Sequence, residues 1–213
     1  MSVDPQLEFV VKTVAETAVE KEQEFGDLDA VVGDGDFGYS LARGFEIVVA
    51  EWDDLDRSSS AVFLQKVALT ISKRVGGTSG PIWGTAFLRA SAAVKDVDQL
   101  SPDHAVAMLR AAAEGIKKRG NSDLGDKTLL DALIPMTDAI EDALAGPGIV
   151  SGAELARTAA TAARTAADAT STMIAKRGRA SYTGERSIGS PDAGAVAVAV
   201  LAERVADRWP DSA

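Results

Sequence analysis

The segment Asp192-Ala193-Gly194-Ala195-Val196-Ala197-Val198-Ala199-Val200-Leu201-Ala202 decides the fold class. Valine alternates with alanine here, and such alternation taken alone is typical of a half-buried β-strand. A strand needs a partner strand, however, and no other stretch of the sequence offers one. We therefore predict a buried helix that begins near Pro191 or Asp192 and ends near Arg208.

The rest of the chain also divides into alanine-rich helices, and capping residues mark their ends. Asp4 and Pro5 open the first helix, Ser151 and Glu154 form a capping box, and Asp126 is a plausible cap for the sixth helix. The seven helices predicted before the last one cover residues of about 5–25, 38–52, 61–75, 81–94, 101–119, 127–144 and 151–175. The sequence thus predicts a single all-α domain over residues 1–213.

Composition excludes several classes of function. The 213-residue chain has no Cys and one His, His104, so a thiolate nucleophile, a disulfide and a multi-histidine metal site are excluded. A net charge of −10 argues against binding to nucleic acid or to an anionic membrane surface. The longest apolar run, Ala193 to Ala202, is too short to cross a bilayer, and the N-terminus lacks the pattern of a signal peptide. We therefore expect a cytoplasmic protein.

Four of the loops are rich in Gly, Asp, Ser and Lys, and they follow the first, third, fifth and seventh predicted helices. They cover residues 26–38, 76–80, 120–128 and 176–194. In an up-and-down array of helices, alternate loops lie at the same end. The spacing therefore predicts that the chemistry lies at one end of the array.

The first of these loops carries three carboxylates, Asp29, Asp34 and Asp36. Hard oxygen ligands on a glycine-rich loop favour Mg²⁺ or Mn²⁺. The same residues also fit Asx turns that cap the helix beginning near Gly38. Spacing alone leaves both interpretations open.

The second and third loops have features of anion sites. Gly76-Gly77-Thr78-Ser79-Gly80-Pro81 offers amides and hydroxyls at a helix N-terminus, although the loop taken alone fits a Gly C-cap followed by a Ser N-cap better. The third loop places Lys127 and Thr128 at a predicted helix N-terminus, a position suited to phosphate binding or to capping.

The fourth loop carries four cations in an otherwise acidic protein: Lys176, Arg177, Arg179 and Arg186. Such a cluster indicates an anionic ligand such as a polyphosphate. Lys176 and Arg177 also fit a helix C-terminus, where the macrodipole favours cations, but Arg186 does not. Together, the four loops predict a site that holds a nucleotide and transfers its terminal phosphoryl group.

As a set, these loops resemble those of the nucleotide-binding L-subunit family of dihydroxyacetone kinases. The matching stretches are residues 28–38, 76–81 with Gly84-Thr85, 125–131 and 178–189, spread over nearly the whole chain in the family's order. The resemblance implies an eight-helix antiparallel barrel or bundle with the nucleotide at one end.

The resemblance also implies the ligands and the residues that bind them. Asp29, Asp34 and Asp36 would hold two Mg²⁺ ions against the phosphates of ADP or ATP, and Arg179 would stabilise the transferred group. The residues implied for nucleotide binding are Phe37, Gly38, Tyr39, Ser40, Thr78, Ser79, Gly120, Leu129, Arg179, Asp192, Ala193 and Gly194.

A separate partner is implied as well. In this family a K subunit holds the ketose as a hemiaminal on its own His, which agrees with the scarcity of His here. The phosphoryl donor is either exchangeable ATP or bound ADP that a phosphohistidine carrier of the sugar phosphotransferase system recharges. The sequence leaves this choice open, and it also leaves open whether the chain forms a homodimer.

Two positions depart from the family pattern. Phe37 and Ser190 stand where the family usually has His, and Pro191 to Gly194 replace a Gln-Asp-Pro-Gly-like run. Because the metal ligands are intact, we expect nucleotide binding and transfer to dihydroxyacetone or a related tetrulose. The loss of the two histidines keeps an alternative open, a regulatory nucleotide-binding module without turnover.

Overall fold

The computed structural model describes residues 2–74 and 79–210, and it is all-helical across those ranges. The α-helices there are α1 (Pro5–Glu20), α2 (Glu22–Asp29), α3 (Phe37–Ala50), α4 (Ser60–Arg74), α5 (Ser79–Ala93), α6 (Pro102–Gly120), α7 (Leu130–Ala145), α8 (Gly152–Ala169) and α9 (Ala193–Asp207). Short 3-10 helices cover Trp52–Asp54, Thr170–Thr172 and Arg179–Ser187. The predicted all-α class is confirmed.

The segment that decided the fold class forms α9. Asp192 is its N-cap, and the carboxylate of Asp192 accepts a hydrogen bond from the Ala195 amide at 2.8 Å. Both the valines and the alanines of the alternating run are buried; Val198, for example, is 6% exposed and Ala199 0%. A helix that is buried on every side needs no polar face, so its apolar residues can follow one another in any order.

The predicted caps of the first and seventh predicted helices are present. The Asp4 side chain accepts hydrogen bonds from the first amides of α1, and Pro5 is the first residue of that helix. Ser151 and Glu154 cap α8 reciprocally. His104 is half-buried and accepts a hydrogen bond from the Ser101 amide at the start of α6.

Three predicted helix boundaries are wrong. The first predicted helix is divided at Lys21 into α1 and α2, because Phe25 of α2 is buried in a different unit of the chain from α1. The seventh ends at Ala169 instead of Ala175, and a 3-10 turn follows it. The sixth begins at Leu130 instead of Lys127, since Lys127 has a left-handed backbone (φ 62°) that a helix cannot include.

The chain forms two compact units. One contains residues up to Glu22 together with Tyr39–Asn121, and the other contains Gln23–Gly38 together with the chain from Ser122 onward. The predicted eight-helix barrel stays a prediction.

In the first unit, α5 packs against α4 and α6. The rings of Trp83 and Phe87 lie 6.3 and 6.0 Å from the buried ring of Phe45, both edge-on.

In the second unit, α8 packs against α7 and α9. The face of α8 that is buried there is mostly alanine, which lets neighbouring helices approach closely; it comprises Leu155, Ala156, Ala159, Ala160, Ala163 and Ala167. No helix within residues 2–74 and 79–210 combines the length and apolar character needed to cross a membrane.

Candidate metal and phosphate site

The first glycine-rich loop folds back onto the end of α2. The Gly33 amide donates to the Asp29 carbonyl at 2.6 Å, and Gly35 takes a positive φ of 75°. A Cβ on Gly33 would lie 2.8 Å from the Asp29 carbonyl oxygen and closer still to its carboxylate. Glycine is therefore required at Gly33 so that the Asp29 side chain can lie across it.

This turn brings the three predicted carboxylates together. Asp29, Asp34 and Asp36 each offer an oxygen, and these oxygens lie within 4.8 Å of one another. Opposite ligands of Mg²⁺ are about 4.2 Å apart, because each Mg–O bond is about 2.1 Å. The donor set therefore fits a hard divalent cation after a small adjustment. Asp29 is half-buried, whereas the other two carboxylates are exposed.

The electrostatics of Asp29 favour a cation. Burial raises the pKa of the Asp29 carboxyl above its usual value. The amides of Phe37 and Gly35 oppose this rise in pKa by hydrogen bonding, and the Phe37 amide lies 3.4 Å from Oδ2. The negative charges of Asp34 and Asp36 raise the pKa again. A bound cation would offset this mutual repulsion.

Arg179 joins the fourth loop to this cluster. Its Nε lies 2.8 Å from Oδ2 of Asp34. The arginine side chain is 69% exposed and that of Asp34 is 36% exposed, so solvent reaches both. The structure thus places the predicted phosphate-binding cation next to a predicted metal ligand.

The third loop is held rigidly by one buried carboxylate. Asp131, at 3% exposed, accepts hydrogen bonds from the amides of Gly125 at 2.6 Å and Thr128 at 2.7 Å. Lys176 of the fourth loop donates from Nζ to the Gly125 carbonyl at 2.8 Å. Asp126 is not the predicted helix cap; its carboxylate accepts a hydrogen bond from the Asp123 amide and pairs with Lys176 and Arg177.

Lys127 has a role that the sequence did not predict. Its side chain is 2% exposed, and its ammonium donates to the carbonyls of Met173 at 3.2 Å, Ser190 at 2.7 Å and Ser187. It is not at a helix N-terminus, and it points into the protein instead of toward a phosphate. Burial lowers the pKa of Lys127, and the nearby Asp192 carboxylate opposes that shift. The backbone of Lys127 is left-handed (φ 62°), a conformation that no sequence pattern indicated.

The N-terminus of α9 lies beside the third loop. A Cβ on Gly194 would lie 3.2 Å from Cβ of Leu129 and 3.1 Å from Oδ2 of Asp192. Three of the predicted nucleotide-binding residues are therefore close together, and Ala193, the first residue of α9, lies between two of them in the chain. The small side chains leave the backbone accessible at this point.

Among the titratable groups described at this site, the Asp192 carboxyl has the largest pKa shift. Burial raises its pKa to about 7. Its hydrogen bond from the Ala195 amide lowers the pKa, the charge of Asp131 raises it and the charge of Lys127 lowers it.

The remaining predicted site residues are distributed over both units. Phe37 and Gly38 belong to the unit that contains the carboxylates, and the Phe37 ring lies 6.1 Å from that of the buried Phe25. Phe37 is half-buried, and its backbone amide donates to the Asp29 carboxylate. The predicted residues that belong to the other unit are Tyr39, Ser40, Ser79 and Gly120.

Thr78 and Ser190 are two further positions that the sequence singled out. Thr78 lies outside the described residues, as do Gly76 and Gly77. Ser190, where a family His was expected, is 7% exposed, and its carbonyl accepts from Lys127. This position therefore contributes to the structure of the loop through its backbone.

The chain is similar in sequence to proteins of the family that its loops resemble. The DAK2 domain family matches residues 31–207. The chain is 36% identical over 183 residues to the ADP-binding subunit DhaL of the PEP-dependent dihydroxyacetone kinase of Escherichia coli, and the match covers 84% of each protein. It is also 36% identical over 197 residues to L-erythrulose 1-kinase of Mycolicibacterium smegmatis, covering 90% of this chain but 33% of that kinase.

A solved structure shares the fold. The chain superposes on the dihydroxyacetone kinase of C. freundii in complex with AMP-PNP and Mg²⁺ with a TM-score of 0.74 at 22% identity, covering 96% of this chain and 34% of that one. This chain thus spans about a third of the length of that kinase and of the erythrulose kinase.

Proposed function

Because the chain belongs to the DAK2 domain family, we propose that it is the nucleotide-binding subunit of a dihydroxyacetone-type kinase. In this role it binds ADP or ATP with Mg²⁺ and supplies the phosphoryl group that is transferred to the hydroxyl of a small ketose. The observation that carries the proposal is the cluster of Asp29, Asp34 and Asp36 with Arg179 at 2.8 Å from Asp34.

The three carboxylates have the chemistry of a magnesium site on the phosphates. Two anionic partners, a carboxylate cluster and a polyphosphate, repel each other unless a cation lies between them. When bound, Mg²⁺ neutralises charge that develops on the transferred group. Asp29 would be fixed in place by the Phe37 amide, and the exposed Asp34 and Asp36 would adjust to the ion. We propose two ions, as the family resemblance implies.

Arg179 is the proposed contact to the phosphoryl group. A guanidinium has five donors in a planar fork, which suits bidentate binding of phosphate oxygens. Its partner in the structure, Asp34, is itself a proposed metal ligand. A nucleotide that brings both phosphate and cation would therefore satisfy both side chains at once.

The N-terminus of α9 is the proposed contact to the rest of the nucleotide. Gly194 and Ala193 leave room there, and Leu129 offers an apolar surface next to them. Free amides at a helix N-terminus favour negative charge. The Asp192 carboxylate accepts from the amides of Ala195 and Gly194, so the ligand is expected at the Ala193 amide, the first of the helix.

A partner subunit is proposed to hold the acceptor. Tyr182 is 88% exposed and Ile188 is 48% exposed, and both lie on the loop that carries Arg179. Contiguous exposed apolar patches mark protein–protein contacts, and we propose that these two side chains are part of such a contact. The relatives named above act on dihydroxyacetone or erythrulose, so the acceptor is proposed to be dihydroxyacetone or a related tetrulose. A further relative is named for dependence on the phosphotransferase system, which supports a phosphohistidine carrier as donor.

Calorimetric titration of the purified chain with ADP and ATP, with and without Mg²⁺, tests the proposal. We expect binding that requires Mg²⁺, with retained ADP if a carrier recharges the subunit and rapid exchange if ATP is used directly. An absence of binding under every condition would contradict the proposal. Binding without transfer, in an assay with a ketose-binding subunit and dihydroxyacetone or erythrulose, would support the regulatory alternative.

A further inference from the structure

The ammonium of Lys127 holds both ends of the segment that carries Arg179. One of its hydrogen bonds goes to the carbonyl of Met173, before the segment, and two go to the carbonyls of Ser187 and Ser190, after it. The three bonds hold the backbone before the segment and the backbone after it at the same ammonium group. The segment between them is thereby closed into a loop.

This segment has little intrinsic rigidity. Gly178, Gly184 and Gly189 have positive φ angles of 66°, 60° and 98°, conformations that glycine adopts readily. Such a chain has high conformational entropy when unfolded, and it needs external anchors to hold one geometry. The Gly189 amide bonds to the carbonyl of Ser171, and the Ala175 amide bonds to the Ser187 hydroxyl. Lys127 adds a buried anchor that bonds three carbonyls at both ends.

Lys127 has no donor left for a ligand. A lysine ammonium has three N–H donors, and the carbonyls of Met173, Ser187 and Ser190 take one each. The side chain is also 2% exposed. Direct contact with a phosphate is therefore excluded by this geometry, and any effect of Lys127 on a ligand acts through the segment that it holds.

We propose that Lys127 is a positioning residue for phosphate binding: it fixes the glycine-rich segment so that the Arg179 guanidinium lies beside Asp34. The inference rests on the proposed function, in which Arg179 contacts the phosphates. Removal of the ammonium leaves three carbonyls without their buried donor, and the segment then samples positions from which Arg179 misses the cluster. Loss of such a supporting contact weakens ligand binding by roughly tenfold to a hundredfold.

A double-mutant cycle with Arg179 tests this inference. Lys127→Met keeps an unbranched side chain, one heavy atom shorter, but removes the charge and the donors. We expect it to weaken Mg²⁺–ADP binding roughly tenfold or more in calorimetry. In the Arg179→Ala background the same change should have little further effect, because the contact through which Lys127 acts is already absent. Equal weakening in both backgrounds would indicate a general structural role and overturn the inference.

Lys176→Met is the matched control. Lys176 also links the third and fourth loops, but it is 59% exposed and donates to a single carbonyl, that of Gly125. We expect a weakening of less than about threefold, because exposed pairs contribute little. If Lys127→Met does not fold, Lys127→Gln enters the same cycle: its shorter side chain has two N–H donors, so it cannot bond all three carbonyls. A folded Lys127→Gln protein with wild-type ADP affinity would overturn the inference.

Limited trypsin digestion separates this inference from the proposed function. Cleavage after Arg186, followed by mass spectrometry, reports whether the segment is held, without any nucleotide. We expect faster cleavage in Lys127→Met than in the wild type and Lys176→Met. Cleavage at the wild-type rate would overturn the inference even if the wild type binds Mg²⁺–ADP. Failure of the wild type to bind Mg²⁺–ADP, by contrast, would contradict the proposed function.

Discussion

Nε of Arg179 lies 2.8 Å from Oδ2 of Asp34, so an arginine of the fourth loop forms an ion pair with a carboxylate of the first loop. The guanidinium neutralises part of the charge that Asp29, Asp34 and Asp36 accumulate in one small volume. A divalent ion bound to Asp34 would compete with this pair. A nucleotide phosphate would give the arginine a second anion to bind while the ion takes the Asp34 oxygen.

Replacing Arg179 should therefore have opposite consequences for nucleotide and for metal. We expect Arg179→Ala to weaken Mg²⁺–ADP binding roughly tenfold, since a charge-assisted contact to phosphate is lost. Binding of Mn²⁺ alone, measured by electron paramagnetic resonance, should stay equal or become tighter, because Asp34 is released. Arg177→Ala is the control, as Arg177 pairs with Asp126 instead. Loss of Mn²⁺ binding in Arg179→Ala would contradict this competition.

Asp34 itself should be essential for metal-dependent binding. We expect Asp34→Ala to reduce Mg²⁺-dependent ADP affinity about a hundredfold or more and to abolish transfer, while the helical circular dichroism spectrum is unchanged. Asp27→Ala is a matched control, because Asp27 is an exposed carboxylate of α2 that pairs with the side chain of Gln23. Unchanged transfer in Asp34→Ala would refute the metal assignment.

Replacing Gly33 should weaken metal binding as replacing a metal ligand does, although glycine has no side chain. A methyl group there would lie 2.8 Å from the Asp29 carbonyl oxygen, so Gly33→Ala must displace Asp29. Overpacking of this kind destabilises a protein by about 1–3 kcal/mol. We expect lower Mn²⁺ affinity together with a lower melting temperature. In Gly146→Ala, the added Cβ meets only backbone oxygens, the nearest at 3.3 Å, and we expect near-normal Mn²⁺ affinity. Normal Mn²⁺ affinity in Gly33→Ala would show that the Asp29 carboxylate is not needed there.

Some features of this protein could be predicted from short sequence patterns, whereas others depend on contacts that no such pattern marks. The caps at Asp4 and Ser151 depend on residues within a few positions, so short patterns were sufficient. The proximity of the three carboxylates was also predictable, because one glycine-rich turn carries them. The inward turn of Lys127 depends on carbonyls 46 to 63 residues away. A single sequence contains no sign of such contacts, and the pattern at Lys127 and Thr128 predicted phosphate binding or capping instead.

Asp192 should make the stability of the second unit depend on pH. Its pKa in the folded protein is about 7, against an ordinary value of 3.8, so between these values the folded state binds more protons than the unfolded state. The free energy of unfolding is therefore expected to fall as pH rises through this window and to level off above it. Asp192→Asn still caps α9, because its side-chain oxygen can accept from the Ala195 amide. Chemical denaturation from pH 4 to pH 8 should show a flatter profile for Asp192→Asn, and a pH dependence identical to that of the wild type would show that Asp192 does not titrate in this window.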